Sequence, residues 1–218
     1  MQARSAVALV VPAGRGPENL ATLLRSLVRA RAQVRELPVP ALHVAVRSDC
    51  RWVDQMDAVA APWRAEGGDV SWHFSPRGNA TAMRNHAAQF VQAPWTAFLD
   101  DDVIVGDGYL ARIAQLSAKP PQRVVQGVPH LCSNGHRLLA RLEARNYEQG
   151  LASYRDSDGG LRTLDARNLF IDTLLIRDFR FDETLVFAGE GQELARRFGT
   201  AGIPIAYDEE LRVYHRNR

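Results

Sequence analysis

Residues 95–105 read Trp95-Thr-Ala-Phe-Leu99, then Asp100-Asp101-Asp102, then Val103-Ile-Val105. An apolar run of strand length that ends in consecutive carboxylates has no packing explanation. Charged side chains are rarely buried without a partner, and adjacent like charges repel. In extended backbone, residues two apart point the same way, which predicts Asp100 and Asp102 on one face and Asp101 on the other. Two carboxylates on one side of a strand end suit a hard divalent cation, Mg²⁺ or Mn²⁺. The plainer alternative is a solvated acidic turn that caps the next helix.

Upstream of this stretch, strands and helices alternate. Residues 7–11 are a continuous, mostly β-branched run, the pattern of a strand buried on both faces of a parallel sheet. Pro12-Ala-Gly-Arg-Gly16 is a turn and Pro17 suits the first position of a helix. Leu20, Leu23, Leu24, Leu27 and Val28 then repeat at helical spacing until Pro38 and Pro40 stop the pattern. Residues 42–46 read as a second strand leading to Arg47, Ser48 and Asp49, and Trp52, Met56, Val59 and Trp63 mark a helix. A third strand at 70–74 and a helix carrying Met83, Ala87, Phe90 and Val91 lead into Trp95. Trp52 and Trp95 read as core. The alternation predicts an α/β fold of βαβ units on a mainly parallel sheet, whose ligands bind beyond the carboxyl ends of the strands. The turn at Gly14 would sit on that edge, as a phosphate seat at a helix N-terminus or as a plain tight turn, with Asp49 and the acidic triplet beside it.

Downstream, Asp107 is expected to cap a helix carrying Tyr109, Leu110, Ile113 and Leu116. Val124 and Val125 open a strand, 138–147 reads as helix, 153–160 as a polar loop and 163–177 as extended chain. Phe181-Asp-Glu183 reads as a surface turn, 190–198 as a short helix and 203–213 as strand-like. No repeat or long linker divides the chain. A single domain over 1–218 is expected, with a first half at 1–102 and a second at 103–218.

Composition narrows the class. In 218 residues the hydrophobic share is 46% and the charged share 24%, ordinary for a soluble globular protein. A net charge of +2 gives no argument for nucleic acid or an anionic membrane. Cys50 and Cys132 stand in no metal-like spacing and make no disulfide framework, which suits a reducing, cytoplasmic setting. The apolar run at 6–11 is too short for a signal peptide. No stretch approaches the roughly 20 apolar residues of a membrane span, so no integral membrane segment is expected.

In order along the chain, Val7-Ala-Leu-Val-Val-Pro12 with Glu18-Asn-Leu20, Arg84-Asn85, Phe98-Leu-Asp-Asp-Asp102, Asn168, Phe181-Asp-Glu183, Gly189-Glu190 with Glu193-Leu194, and Tyr214-His215 resemble the family-two nucleotide-sugar glycosyltransferases of the GT-A fold. The resemblance runs along nearly the whole chain and its central element is a DxD motif. It implies a nucleotide-binding surface of Pro12, Gly14, Asp49, Arg84, Asp100 and Asp101, with Asp100 near the ribose. It implies a metal, Mn²⁺ or Mg²⁺, at Asp102 and His215, and an acceptor side at Asn168 and Glu193. Glu190 is the candidate base, taking the acceptor's proton with inversion at the anomeric carbon. The chain departs from the pattern at Gly191, where a second acid is usual, at Arg47-Ser-Asp49 in place of a more acidic strand end, and at Arg15 in the first loop.

The implied partners are a nucleotide-diphosphate sugar and a small-molecule, peptide or saccharide acceptor. Each residue also has a plainer reading: His215 as a surface histidine near a basic tail, Glu190 as a helix-start acid favoured by the macrodipole, Asp49 as a turn former, Arg84 as an ordinary surface ion pair. Two other functions compete. A sugar-phosphate nucleotidyltransferase would need a longer glycine-rich loop with a lysine, absent after Gly16. A non-catalytic nucleotide-sugar or partner binder of the same fold draws its support from Gly191.

Overall fold

The computed structural model describes residues 4–132, 161–186 and 188–216. The helix expected at 138–147 and the loop at 153–160 lie outside the described residues. The first apolar run forms β1 (Val7–Pro12), buried at every position. Val7, Leu9 and Val11 join one apolar cluster, while Ala8 and Val10 join another on the opposite face, as the two-residue period of a strand requires.

β1 pairs in parallel with β2 (Ala41–Arg47) and with β4 (Trp95–Leu99), and β2 pairs in parallel with β3 (Val70–Ser75). The leucines of α1 (Pro17–Arg31) and Met56 and Trp63 of α2 (Met56–Ala65) fill the first cluster. Met83, Ala87 and Ala88 of α3 (Ala80–Ala88) fill the second. The chain crosses the sheet from β1 to β3 and then returns to place β4 on the far side of β1. Right-handed crossovers send the helices of opposite directions to opposite faces. The reversal falls between β1 and β4, and such a switch point opens a crevice at the strands' carboxyl ends.

The second half adds β5 (Val103–Val105), α4 (Tyr109–Ala118), β6 (Val124–Cys132), β7 (Asn168–Asp172), α5 (Thr173–Phe179), α6 (Glu190–Thr200) and β8 (Ile205–Arg216). The result is a mixed eight-stranded sheet of order β3-β2-β1-β4-β7-β6-β8-β5. β7 runs antiparallel to both β4 and β6, and β8 parallel to β6 but antiparallel to β5.

Two local expectations are corrected. Only Asn168–Asp172 of the expected extended stretch is strand; Asp172 then accepts from Leu175 N at 2.9 Å and starts a helix. An N-cap outweighs the apolar run behind it. Asp107 caps nothing: α4 starts after Gly108, and Asp107 instead accepts from Arg29 Nε at 2.6 Å.

Candidate active site

The loops that leave β1 and β4 meet at the switch point. Ala13 N donates to Ala45 O at 2.7 Å, which carries the β1 ladder one residue past the strand. The main-chain N–H groups of Gly14 and Arg15 then turn onto Asp101, the latter at 2.9 Å. Gly16 sits at φ 108°, a conformation that side chains resist, and lets the chain enter α1. The N–H groups that the sequence offers as a phosphate seat or as part of a plain tight turn hold a carboxylate.

After Leu99 the backbone leaves the strand for a turn at Asp101 and Asp102, so strand alternation no longer applies. The three carboxylates separate by partner. Asp100 pairs with Arg84, Asp101 takes the β1 loop, and Asp102 meets Arg15 and His215, the imidazole Nε2 lying 3.0 Å from Oδ2. His215 reaches Asp102 because β8 places it opposite Val103 in the β5 register. Asp101 and Asp102 are both 3% exposed. Burial pushes the Asp101 carboxyl up to about 6, and the neighbouring Asp100 charge adds to this against the N–H groups of Arg15 and Gly14.

Arg84 is the pivot on the other side. Its guanidinium is buried, pairs with Asp100, and reaches Glu190 Oε1 at 3.5 Å. It also lies 5.8 Å from the centre of the Phe181 ring. Asn85 fixes that ring from behind, donating to Phe181 O at 2.8 Å and accepting from Phe181 N at 2.9 Å. The Arg84-Asn85 step and the Phe181 stretch, separate in sequence, thus form one clamp that sets Glu190 beside the acidic turn. Glu190 opens α6 with Gly189 before it at φ 94°, and its side chain remains 24% exposed.

The model of the family described as "Glycosyltransferase like family 2" matches residues 3–218. The chain belongs to that family. Among curated proteins, none matches the sequence significantly. In fold, it is similar to Staphylococcus aureus TarS 1-349 in complex with UDP, with 18% identity, a TM-score of 0.69, and coverage of 97% of this chain and 60% of that one. It is also similar to the mannosyltransferase PcManGT of Pyrobaculum calidifontis in complex with GDP-Man and Mn²⁺, with 12% identity, a TM-score of 0.71, and coverage of 98% and 57%. The chain thus spans less than two thirds of these neighbours' length.

The remaining positions that carry the family-two pattern are distributed as follows. Asp49 is exposed and paired with Arg47 at 2.6 and 2.7 Å; the hydrogen bonds from Arg47 hold its carboxyl below the usual range. Glu193 is tied to Arg197 along α6 at 2.8 to 2.9 Å, and that partner lowers its carboxyl in the same way. Asn168 is fully buried opposite Leu99 and donates to Leu211 O at 2.7 Å, bracing β7 against β8 with no surface turned to the crevice. Asp182 is the turn residue expected, accepting from Thr184 N and Oγ1. Glu183 does more: it pairs with Arg77 and Arg180 and accepts from Asn85. Gly191 has a packing reason, since a Cβ there would lie 2.0 Å from Leu164 O. Sequence reading missed the role of Arg15, whose only signal was its departure from the family's first loop.

Proposed function

We propose that the chain is an inverting, metal-dependent glycosyltransferase that moves a sugar from a nucleotide-diphosphate donor to an acceptor hydroxyl. The observation that supports this reading is the acidic turn at the switch point of a family-two fold, where buried Arg84 joins Asp100 to Glu190 and His215 reaches Asp102. Fold neighbours in complex with UDP, UDP-GlcNAc or GDP-Man support the donor class.

A crevice lined by carboxylates repels a diphosphate unless a cation intervenes. Asp102 suits that cation: its Oδ1 is buried and has no hydrogen-bond partner among the described residues, and His215 stands at its other oxygen. An ion held by one or two protein side chains is completed by substrate phosphates. When bound, Mn²⁺ or Mg²⁺ supplies neutralisation of the charge on the departing diphosphate.

Glu190 is the proton acceptor in this reading. It takes the proton of the acceptor hydroxyl as that oxygen bonds to the anomeric carbon and the bond to the diphosphate breaks on the opposite face. Arg84 holds Glu190 and Asp100 in fixed relation. Asp100 and the first-loop residues Pro12 and Gly14 border the nucleotide. The non-catalytic alternative rested on Gly191, and packing against Leu164 accounts for that glycine without any loss of function.

The test is calorimetric titration of UDP, GDP and dTDP with Mn²⁺, Mg²⁺ or chelator, with Asp102→Ala alongside. Metal-dependent binding of one nucleotide, lost in the variant, is expected, and Glu190→Gln is expected to keep binding while losing transfer. Absence of binding to any nucleotide under all conditions would sink the reading.

A further inference from the structure

We infer that Arg15 is a resident counter-cation of this site: it competes with a divalent cation for Asp102 and, once displaced, turns to the donor's diphosphate. The diphosphate half rests on the proposed function; the competition rests on geometry alone.

Arg15 Nη1 contacts Asp102 Oδ2, the oxygen that His215 Nε2 meets at 3.0 Å. One carboxylate oxygen thus receives both protein partners, and Oδ1 has none among the described residues. The Arg15 side chain is 54% exposed, against 4% for Asp102. A half-exposed group touching a buried carboxylate lies on its solvent side, across the approach any other cation must take. A guanidinium and a divalent ion within a few ångströms repel, so one must leave before the other is bound fully.

The loop is built to let the side chain go. Its backbone is anchored separately, by Arg15 N on Asp101 Oδ2 at 2.9 Å and by the turn at Gly16. Movement of the guanidinium therefore needs only side-chain rotation, with the β1 loop left in place. Arg84 has no such freedom, being 2% exposed and fixed by Asp100 and Glu190. Among the described residues these two are the arginines that pair with the triplet. Four carboxylates, the triplet and Glu190, face two guanidiniums here. The site keeps an excess of negative charge, and an incoming diphosphate adds to it. An arginine displaced from Asp102 by a metal is then drawn to the phosphate oxygens, which its planar fork matches.

The experiment is Mn²⁺ binding by electron paramagnetic resonance without nucleotide, on wild type, Arg15→Ala and Arg15→Lys. Arg15→Ala keeps the main-chain N–H that Asp101 accepts, so the loop stays anchored, and unchanged circular dichroism verifies the fold. A site that is competent only when Arg15 is away binds more weakly by the fraction of time it is open. Arg15→Ala is therefore expected to bind Mn²⁺ about tenfold more tightly, with Arg15→Lys between. Equal or weaker Mn²⁺ binding in Arg15→Ala, or no Mn²⁺ binding in any variant, overturns the competition. Calorimetry of UDP and GDP at saturating Mn²⁺ tests the second half, for which Arg15→Ala is expected to lose about tenfold in affinity; unchanged affinity overturns it. Tighter Mn²⁺ with no nucleotide binding by any variant leaves the competition standing and removes the sugar-transfer reading instead.

Discussion

Arg84 and Asp100 form an ion pair in which the cation is the buried member, its side chain 2% exposed against 19% for the carboxylate. The same guanidinium faces Glu190 and the Phe181 ring, so one side chain of α3 links the end of β4 to the start of α6. Removing one member of a buried pair leaves the others uncompensated and costs about 3–5 kcal/mol. At about 2–4 °C per kcal/mol for a chain of this size, Arg84→Met is expected to lower Tm by about 6–20 °C. Arg84→Lys is not expected to restore it, because a point-like ammonium cannot serve two carboxylates at once. A melting temperature within about 2 °C of wild type would remove Arg84 as the pivot.

Gly191 offers a second check, on a residue whose sequence signal pointed the wrong way. Its missing side chain suggested a lost acid. The structure shows main chain of Leu164 where a Cβ would stand, at 2.0 Å from O and 2.8 Å from C. Backbone cannot swing aside as a side chain can, and forced overpacking of this kind costs about 1–3 kcal/mol or more. Gly191→Asp is expected to lower Tm without raising transfer, and Gly191→Ala to lower Tm similarly. An aspartate variant that melts like wild type and transfers faster would mean that the acid, and not the space, is what matters at this position.

The parts of the fold readable in the sequence are those set by local pattern. The run at Val7 to Val11, the helical leucines of α1 and the four parallel strands up to Leu99 follow from periodicity and from proline and glycine punctuation. The site was legible as a list of residue types, and the structure brings His215 to Asp102 and Glu190 to Arg84. What each residue touches was not legible. Asp100 and Asp102 part company because the chain turns at Asp101, and strand alternation says nothing about a turn. Arg84 reads either as a partner of the triplet or a phosphate contact, or as an ordinary surface cation, and its burial and its reach to Glu190 follow only from the meeting of α3 with the Phe181 stretch. Asn168 lies in a strand whose partners stand on average tens of residues away, so its bond to Leu211 has no local signature.

That bond supplies a third prediction. Gly127 leaves room for the Asn168 amide: a Cβ on it would sit 2.2 Å from Nδ2 and 2.5 Å from Leu211 O. Asn168→Ala leaves Leu211 O without this donor inside the sheet, at a cost of about 1–3 kcal/mol. Gly127→Ala is expected to destabilise by a comparable amount through overpacking. The two share one cause, so the double variant is expected to be less destabilised than the sum, by about 0.5–1 kcal/mol. Strict additivity in urea melts would show that the residues do not act through each other.

The fourth prediction concerns pH and sits away from the crevice. His43 Nδ1 and His73 Nε2 lie 3.0 Å apart with ring planes 10° from parallel, so one imidazole donates to the other. His86 and Phe90 pack on His73, and no carboxylate pairs with either imidazole among the described residues. Burial, with the charges of His43 and His86, lowers His73 to about 4, and burial lowers His43 too. Between the unfolded value of 6.5 and about 4 the unfolded chain binds more protons than the native one, so stability falls as pH falls through that window. Because His73 is only partly buried, its share is discounted to about 1–2 kcal/mol. Asp101 acts with the opposite sign: its carboxyl is raised to about 6, so lowering the pH through that range relieves a cost. The two contributions oppose each other in wild type, and a difference separates them. Urea melts at pH 7.5 and 4.5 are expected to show a smaller loss on acidification for His73→Gln than for wild type. Equal losses in the two proteins would mean that the histidine pair carries no pH dependence of stability.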